Sequence, residues 1–239
     1  TVLGGTYFMP ASLYIGIGWC RDNKIHCYLP NETFTMGNSD VYLSDWLSPR
    51  SLWTGIAVSA DGQKITAVSK DNGMTSGSYS SNDGGATFFS NGLGGRGAGK
   101  AITLSSDGTR LASVSSPGYV YTSNNSGVTS TQRDSVRDWS GIASSSDGVK
   151  LVATVYSGNI YTSTDGGVTW IPRDSARAWV RVASNSDGTK LVAAVYNGLV
   201  YTSTDSGVTW TGHDSGRAWR SVASNADGTK LAAVVENGS

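Results

Sequence analysis

Apolar and polar positions alternate in short runs along most of this chain, and the runs are separated by Gly, Asp, Ser and Asn. That pattern predicts short, half-buried strands joined by tight turns. One stretch shows the scheme. Residues 140–144 form a first strand, and Ser146-Asp147-Gly148 makes a hairpin turn, because Asp-Gly between apolar flanks favours positive φ. Residues 150–156 form a second strand with Val152 and Val155 as core positions. Ser157-Gly158 makes the next turn, residues 159–163 a third strand, and Asp165-Gly166-Gly167 leads into a fourth strand at 169–173.

The scheme repeats. Trp139, Trp179 and Trp219 stand forty residues apart, as do Tyr121, Tyr161 and Tyr201. Four antiparallel strands in about forty residues is the unit of a β-propeller blade. Blades are expected near 53–90, 98–133, 139–173 and 179–213, with a fifth beginning at Trp219. An incomplete blade leaves an open strand edge, a known aggregation hazard. The expected fold is therefore all-β, a propeller of five blades in which residues 1–50, the non-repeating segment, close or cap the ring formed by 51–239. The apolar runs 13–17 and 25–29 are candidates for the closing strands. The alternative makes residues 1–50 a divergent blade of a six- or seven-bladed ring. The chain starts without methionine and stops inside a repeat, which points to processing or to a piece of a longer protein.

The turn between third and fourth strands carries a motif. Ser163-Thr164-Asp165-Gly166-Gly167-Val168-Thr169-Trp170 and Ser203-Thr204-Asp205-Ser206-Gly207-Val208-Thr209-Trp210 are two full copies. Ser81, Asp83, Gly85, Thr87 and Phe88 form a copy with Phe for Trp. Ser123, Asn125, Gly127, Thr129 and Ser130 form one without Asp or Trp. The pattern resembles the Asp-box, or bacterial neuraminidase repeat, of the sialidase and sortilin-like propellers, over residues 51–239. The resemblance implies an Asp that accepts bonds inside its own turn, away from any ligand face. It implies little about activity, because propellers host many functions.

Composition narrows the classes. Eighteen charges of each sign give zero net charge without a basic block, which argues against nucleic acid as a partner. No apolar run is long enough for a membrane span. Gly is abundant (31), Pro scarce (5), and Glu occurs only at Glu32 and Glu236, a turn-rich composition of extracellular type. Cys20 and Cys27 flank a hairpin signal at Asp22-Asn23, and a disulfide between them is expected alongside the alternative of two free thiols. Asn31, Asn124 and Asn237 head glycosylation sequons.

Candidate chemistry lies in the connection from one blade to the next. Arg137 and Trp139, Arg177 and Trp179, and Arg217 and Trp219 recur there, preceded by Asp134, Asp174 and Asp214. Two readings stay open. The Trp faces can stack on sugar rings while Arg and Asp satisfy hydroxyls, or the Trp packs between blades and the Arg–Asp pairs bridge them. No metal and no cofactor is expected: His26 and His213 have no ligand-like spacing. Gly92-Leu93-Gly94-Gly95-Arg96-Gly97 lacks the strand–loop–helix context of a phosphate loop. No catalytic residue is assigned. The resulting expectation is a non-catalytic extracellular or cell-surface module that binds glycan or protein, part of a larger assembly. The alternatives are a sialidase-like glycoside hydrolase and an intracellular assembly factor resembling the photosystem assembly propellers.

Overall fold

The computed structural model describes residues 17–21, 24–28, 52–70, 77–91, 93 and 99–236. Among these, every regular element is a strand. β1 (Ile17–Arg21) and β2 (Lys24–Tyr28) form an antiparallel ribbon. Its register sets Cys20 opposite Ile25 and Cys27 opposite Gly18. The expected disulfide concerns side chains outside the described residues, as do the sequon residues Asn31 and Asn237 and most of the run 13–17.

The repeats follow as antiparallel units. β3 (Leu52–Val58), β4 (Ile65–Lys70), β5 (Ser78–Ser81) and β6 (Phe89–Asn91) form the first. β7 (Gly99–Leu104), β8 (Leu111–Ser115), β9 (Gly118–Ser123) and β10 (Thr131–Arg137) form the second. β11 (Trp139–Ser144), β12 (Leu151–Ser163), β13 (Ile171–Ser184), β14 (Leu191–Ser203), β15 (Thr211–Ser224) and β16 (Leu231–Val235) then pair consecutively.

The last group departs from the expected layout. Second and third strands merge into β12, and the connection expected as an inter-unit loop lies within β13 and β15. The cause is local pairing. Ser157 turns the chain at φ 57° without breaking it. The passage to the next unit then pairs with that bend, Tyr156 with Ala178 and Gly158 with Arg177, through bulges. Asp174 takes φ 47° within the same passage.

Burial falls from the first strand of a unit to the fourth. Every residue of β11 and the first five of β12 are buried, on both faces. β10 is almost wholly exposed. First strands therefore sit innermost, and each abuts the next: Thr103 and Ser144 share a hydrogen bond of 2.7 Å between β7 and β11. This is a propeller-like arrangement. The core is a set of seams between units. Trp139, Ile142 and Leu151 pack with Ala112, Val114 and Val120 of the preceding unit, and Trp179, Val182 and Leu191 with Val152 and Ile160.

Each seam is also tied through backbone. The amide of Ser106 donates to Ser146 O, Ser146 to Ser186 O, and Ser186 to Ala226 O, at 2.7–2.8 Å. Gly148 sits there at φ 68°, and a Cβ on it would meet the Cβ of Arg110 in the preceding unit at 2.7 Å. The Asp-Gly turn thus needs glycine for conformation and for close approach.

β16 pairs on one side only with β15 among the described residues, and Leu231 and Val234 are exposed there.

Two glycines in one turn test the seam. A Cβ on Gly167 would meet Thr122 Cγ2 at 2.7 Å and Leu151 Cδ1 at 3.1 Å. A Cβ on Gly166 would meet only the end of the flexible Arg110 side chain, at 3.2 Å from Nη1, and Ser126 and Ser206 occupy its place elsewhere at positive φ. G167A is expected to lower unfolding free energy by about 1–3 kcal/mol, and G166S by less than about 1. Chemical denaturation of both variants checks this; equal costs would contradict the seam contact.

Candidate functional site

The turns that carried the sequence motif are closed by their own side chains. Ser163 Oγ donates to Asp165 Oδ1 at 2.8 Å and accepts from the Gly167 amide at 2.9 Å. Thr169 donates to Asp165 from its amide (3.0 Å) and its hydroxyl (2.6 Å). Trp170 Nε1 donates to Gly167 O at 3.0 Å. Ser203, Asp205, Gly207, Thr209 and Trp210 repeat every bond, and Ser81, Asp83, Gly85 and Thr87 repeat those not involving Trp. In the second unit Asn125 takes the place of Asp: its Oδ1 accepts from the Thr129 amide, and its Nδ2 donates to the Thr129 hydroxyl, which reverses one bond and keeps the turn. The neighbouring Asn124 is exposed.

The Thr hydroxyl and then the Thr amide hold the carboxyls of Asp83, Asp165 and Asp205 at about 2. These groups remain ionised acceptors, so they do not shuttle protons near neutral pH. A second set gave no motif in the sequence because only its Asp-Gly stood out. Ser145 Oγ donates to Asp147, which accepts from the Val149 amide at 2.9 Å, and the Lys150 amide donates to Ser145 Oγ at 3.0 Å. The two turns of a unit meet: the Gly166 amide donates to Val149 O at 2.9 Å.

The opposite end carries the Arg and Trp residues. Trp139 and Trp179 are fully buried, and Trp219 nearly so. The Trp179 ring meets Tyr201 edge-on at 5.1 Å and Trp210 at 6.2 Å, and Trp139 meets Tyr161 and Trp170 likewise. The expectation that these indoles stack on sugars is corrected: their faces fill the seams, which is the packing alternative. The companion expectation of bridges between units is corrected too. Arg137–Asp134, Arg177–Asp174 and Arg217–Asp214 are pairs within one connection, at 3.4, 3.3 and 3.7 Å.

Each Arg lies over an aromatic ring. Arg177 Cζ is 4.5 Å from the Tyr201 centroid and 5.7 Å from that of Trp179, and Arg137 matches it over Tyr161 and Trp139. Arg217 has Trp219 alone, at 5.7 Å, and its side chain is 51% exposed against 33% for Arg177. His213 stands where Arg133 and Arg173 stand in sister units and keeps their contact: its Nε2 shares a 2.7 Å bond with Thr202 Oγ1, as Arg173 Nε donates to Thr162 Oγ1 at 3.1 Å.

One grouping was not foreseen. Glu236 is ion-paired with Arg220, whose Cζ lies 4.8 Å from the Tyr196 ring. The three come from different parts of the sequence, and no sister unit repeats the set. Among the described residues no group of three His, Cys, Asp or Glu is arranged to hold a metal ion, and no helix is long and apolar enough to cross a membrane.

The carboxylate turns make stability depend on pH. Because the three Asp carboxyls titrate lower in the folded state than their ordinary 3.8, they contribute stability above about pH 4 that is lost as pH falls towards 2. A D83N/D165N/D205N variant, which copies the natural Asn125 turn, should show a shallower fall in thermal midpoint over that window; an unchanged slope would contradict the assignment. At the other end, R177A should destabilise by about 1 kcal/mol and R217A by less than about 0.5, since Arg177 contacts two rings and Arg217 one. Denaturation midpoints decide this.

Comparison with known proteins agrees on architecture. The chain matches a GH74 enzyme of Niastella koreensis at a TM-score of 0.70 and 15% identity, over 100% of this chain and 43% of that one. It therefore spans less than half the length of that protein. In all, 1089 solved chains match, a breadth that belongs to a fold rather than an activity. No family model and no curated protein sequence matches. The comparisons establish a propeller-like, all-β fold.

Proposed function

We propose that the chain is a non-catalytic binding or structural module of an extracellular or cell-surface assembly. In this reading it is a five-unit propeller that residues 1–50 help to close. It recognises glycan or protein through the end where units connect. The observation that carries it is the threefold recurrence of an Arg–Asp pair on an aromatic base, at forty-residue spacing. Equivalent weak contacts on one rigid frame suit a repetitive ligand, since linked contacts multiply affinity. Because the indoles are buried, the contact surface is made of the Arg and Asp heads with exposed side chains beside them, Val136 and Tyr156.

A sialidase-like or other glycoside hydrolase is the second reading. It is favoured by the GH74 neighbour and by the unrepeated grouping of Tyr196, Arg220 and Glu236. The same preparation separates the two. On an oligosaccharide and protein panel the wild-type chain should bind without turning over chromogenic glycosides, and D134A/D174A/D214A should lose at least tenfold in affinity. Turnover abolished by E236Q would replace the first reading by the second. Unaltered binding by the triple variant would remove the connecting end from recognition.

A further inference from the structure

Arg220, Tyr196 and Glu236 show how this frame receives a cation. The Arg220 guanidinium lies over the Tyr196 ring, 4.8 Å from its centroid, and is ion-paired with Glu236. The ring comes from β14 of one unit, and the cation from the start of the first strand of the next, within β15. The face of the ring attracts the cation, and the carboxylate supplies its counter-charge.

The preceding unit keeps the ring and lacks that cation. Tyr156 stands where Tyr196 stands, and Val180 where Arg220 stands. Val180 is partly buried and packs with Ala194 and Trp219, so the next unit brings no charge to Tyr156 from that position. Tyr156 is 47% exposed, whereas Tyr196 is half-buried. A carboxylate reaches this ring from another strand. Trp139 pairs with Val155, and one step further out the Tyr156 amide donates to Asp138 O at 2.8 Å. Asp138 and Tyr156 are thus cross-strand neighbours, a relation that sets Cβ atoms about 4.5–5.5 Å apart. Ala178 and Ala218 occupy the place of Asp138 in the units that follow, so this carboxylate belongs to the unit with the open ring.

Asp138 is exposed and forms no ion pair among the described residues. The arginines of the two adjoining connections are committed elsewhere, Arg137 to Asp134 and the Tyr161 ring, and Arg177 to Asp174 and the Tyr201 ring. An open aromatic face and an unpaired carboxylate both attract positive charge, and the sister unit seats a guanidinium on the equivalent ring. We propose that Tyr156 and Asp138 form a docking site for an arginine side chain of a protein partner. The inference rests on the binding reading given above and names its partner as protein.

Amide chemical-shift mapping by NMR on the whole 239-residue chain tests it. The probes are N-acetyl-arginine amide, its neutral isostere N-acetyl-citrulline amide and a neutral cello-oligosaccharide. The arginine probe should shift the amides of Asp138, Tyr156 and Ala178 saturably, and more weakly as salt rises. It should bind at least about fivefold more tightly than the citrulline probe, and Y156A and D138N should each weaken it by about threefold or more, the size of an exposed cation–π contact or ion pair. Y156F should bind as wild type, and thermal midpoints show that the variants fold. No binding of the arginine probe, equal binding of the citrulline probe, or wild-type affinity in Y156A overturns the proposal. Shifts at these amides with the oligosaccharide alone would make the ring a glycan platform, which overturns the proposal and leaves the binding reading standing. Failure of that reading shows separately, as glycoside turnover abolished by E236Q.

Discussion

A sheet whose inner two strands are buried on both faces has no stable place in water until something covers each face. β11 and the first half of β12 are such a pair, and the rest of the molecule follows from covering them. Three of the described seams take one large wedge, Trp139, Trp179 or Trp219, from the unit on one side, and small or branched residues from the other, whereas the seam between the first two units is filled by aliphatic residues such as Leu93, Ile102 and Leu111. Burying an indole removes some 150–250 Å² from water, and its loss from a core costs about 3–5 kcal/mol. The seam bonds from Ser106 to Ser146 to Ser186 then fix the spacing that the wedge requires. Stability in such an array is a sum over neighbours, so the units tolerate sequence drift on their outer strands and little at the seams. Gly148 and Gly167 mark that limit: each is both a turn residue and a point of contact with the unit before it.

The repeat, the turns and the class of fold were legible in the sequence because their signals are local. Asp165 and Thr169 close a turn within five residues, and a period of forty needs no partner to be seen. Trp139 shows where that legibility stops. Its spacing located it at a strand start, yet periodicity does not say whether a ring at that place faces a neighbour or the solvent. The same ambiguity covered Arg177, whose partner Asp174 lies three residues away rather than on another unit. The merging of strands into β12 and β13 was hidden for a different reason: Ser157-Gly158 reads as a break, but a single residue at positive φ can bend a strand while pairing continues through a bulge.

Regularity itself hid the least regular chemistry. What the units share draws attention away from what they do not, and Lys100, Arg181, Arg220 and Glu236 belong to no motif. Some of their partners lie far away in sequence. Arg220 and Glu236 are sixteen residues apart, and Arg181 rests on Ser140 O, forty-one residues before it. The first strand of a unit is where such changes can accumulate. Its outer neighbours have fixed packing roles, whereas the second and third positions at its start lie against the adjoining first strands.

The two ends of each unit therefore differ in electrostatic character. At the turn end the carboxylates of Asp83, Asp165 and Asp205 are satisfied by amides and hydroxyls of their own turns, and Asn125 does the same work as Asp, so charge there is dispensable to geometry. At the connecting end the Arg–Asp pairs are partly exposed to solvent and salt, and pairs of that kind contribute little to stability. Under the proposed binding reading, the cations held over aromatic rings polarise the frame for contact at the connecting end. The seams supply the rigidity that makes the polarity useful, because contacts held in fixed register pay no further ordering cost when they engage a ligand.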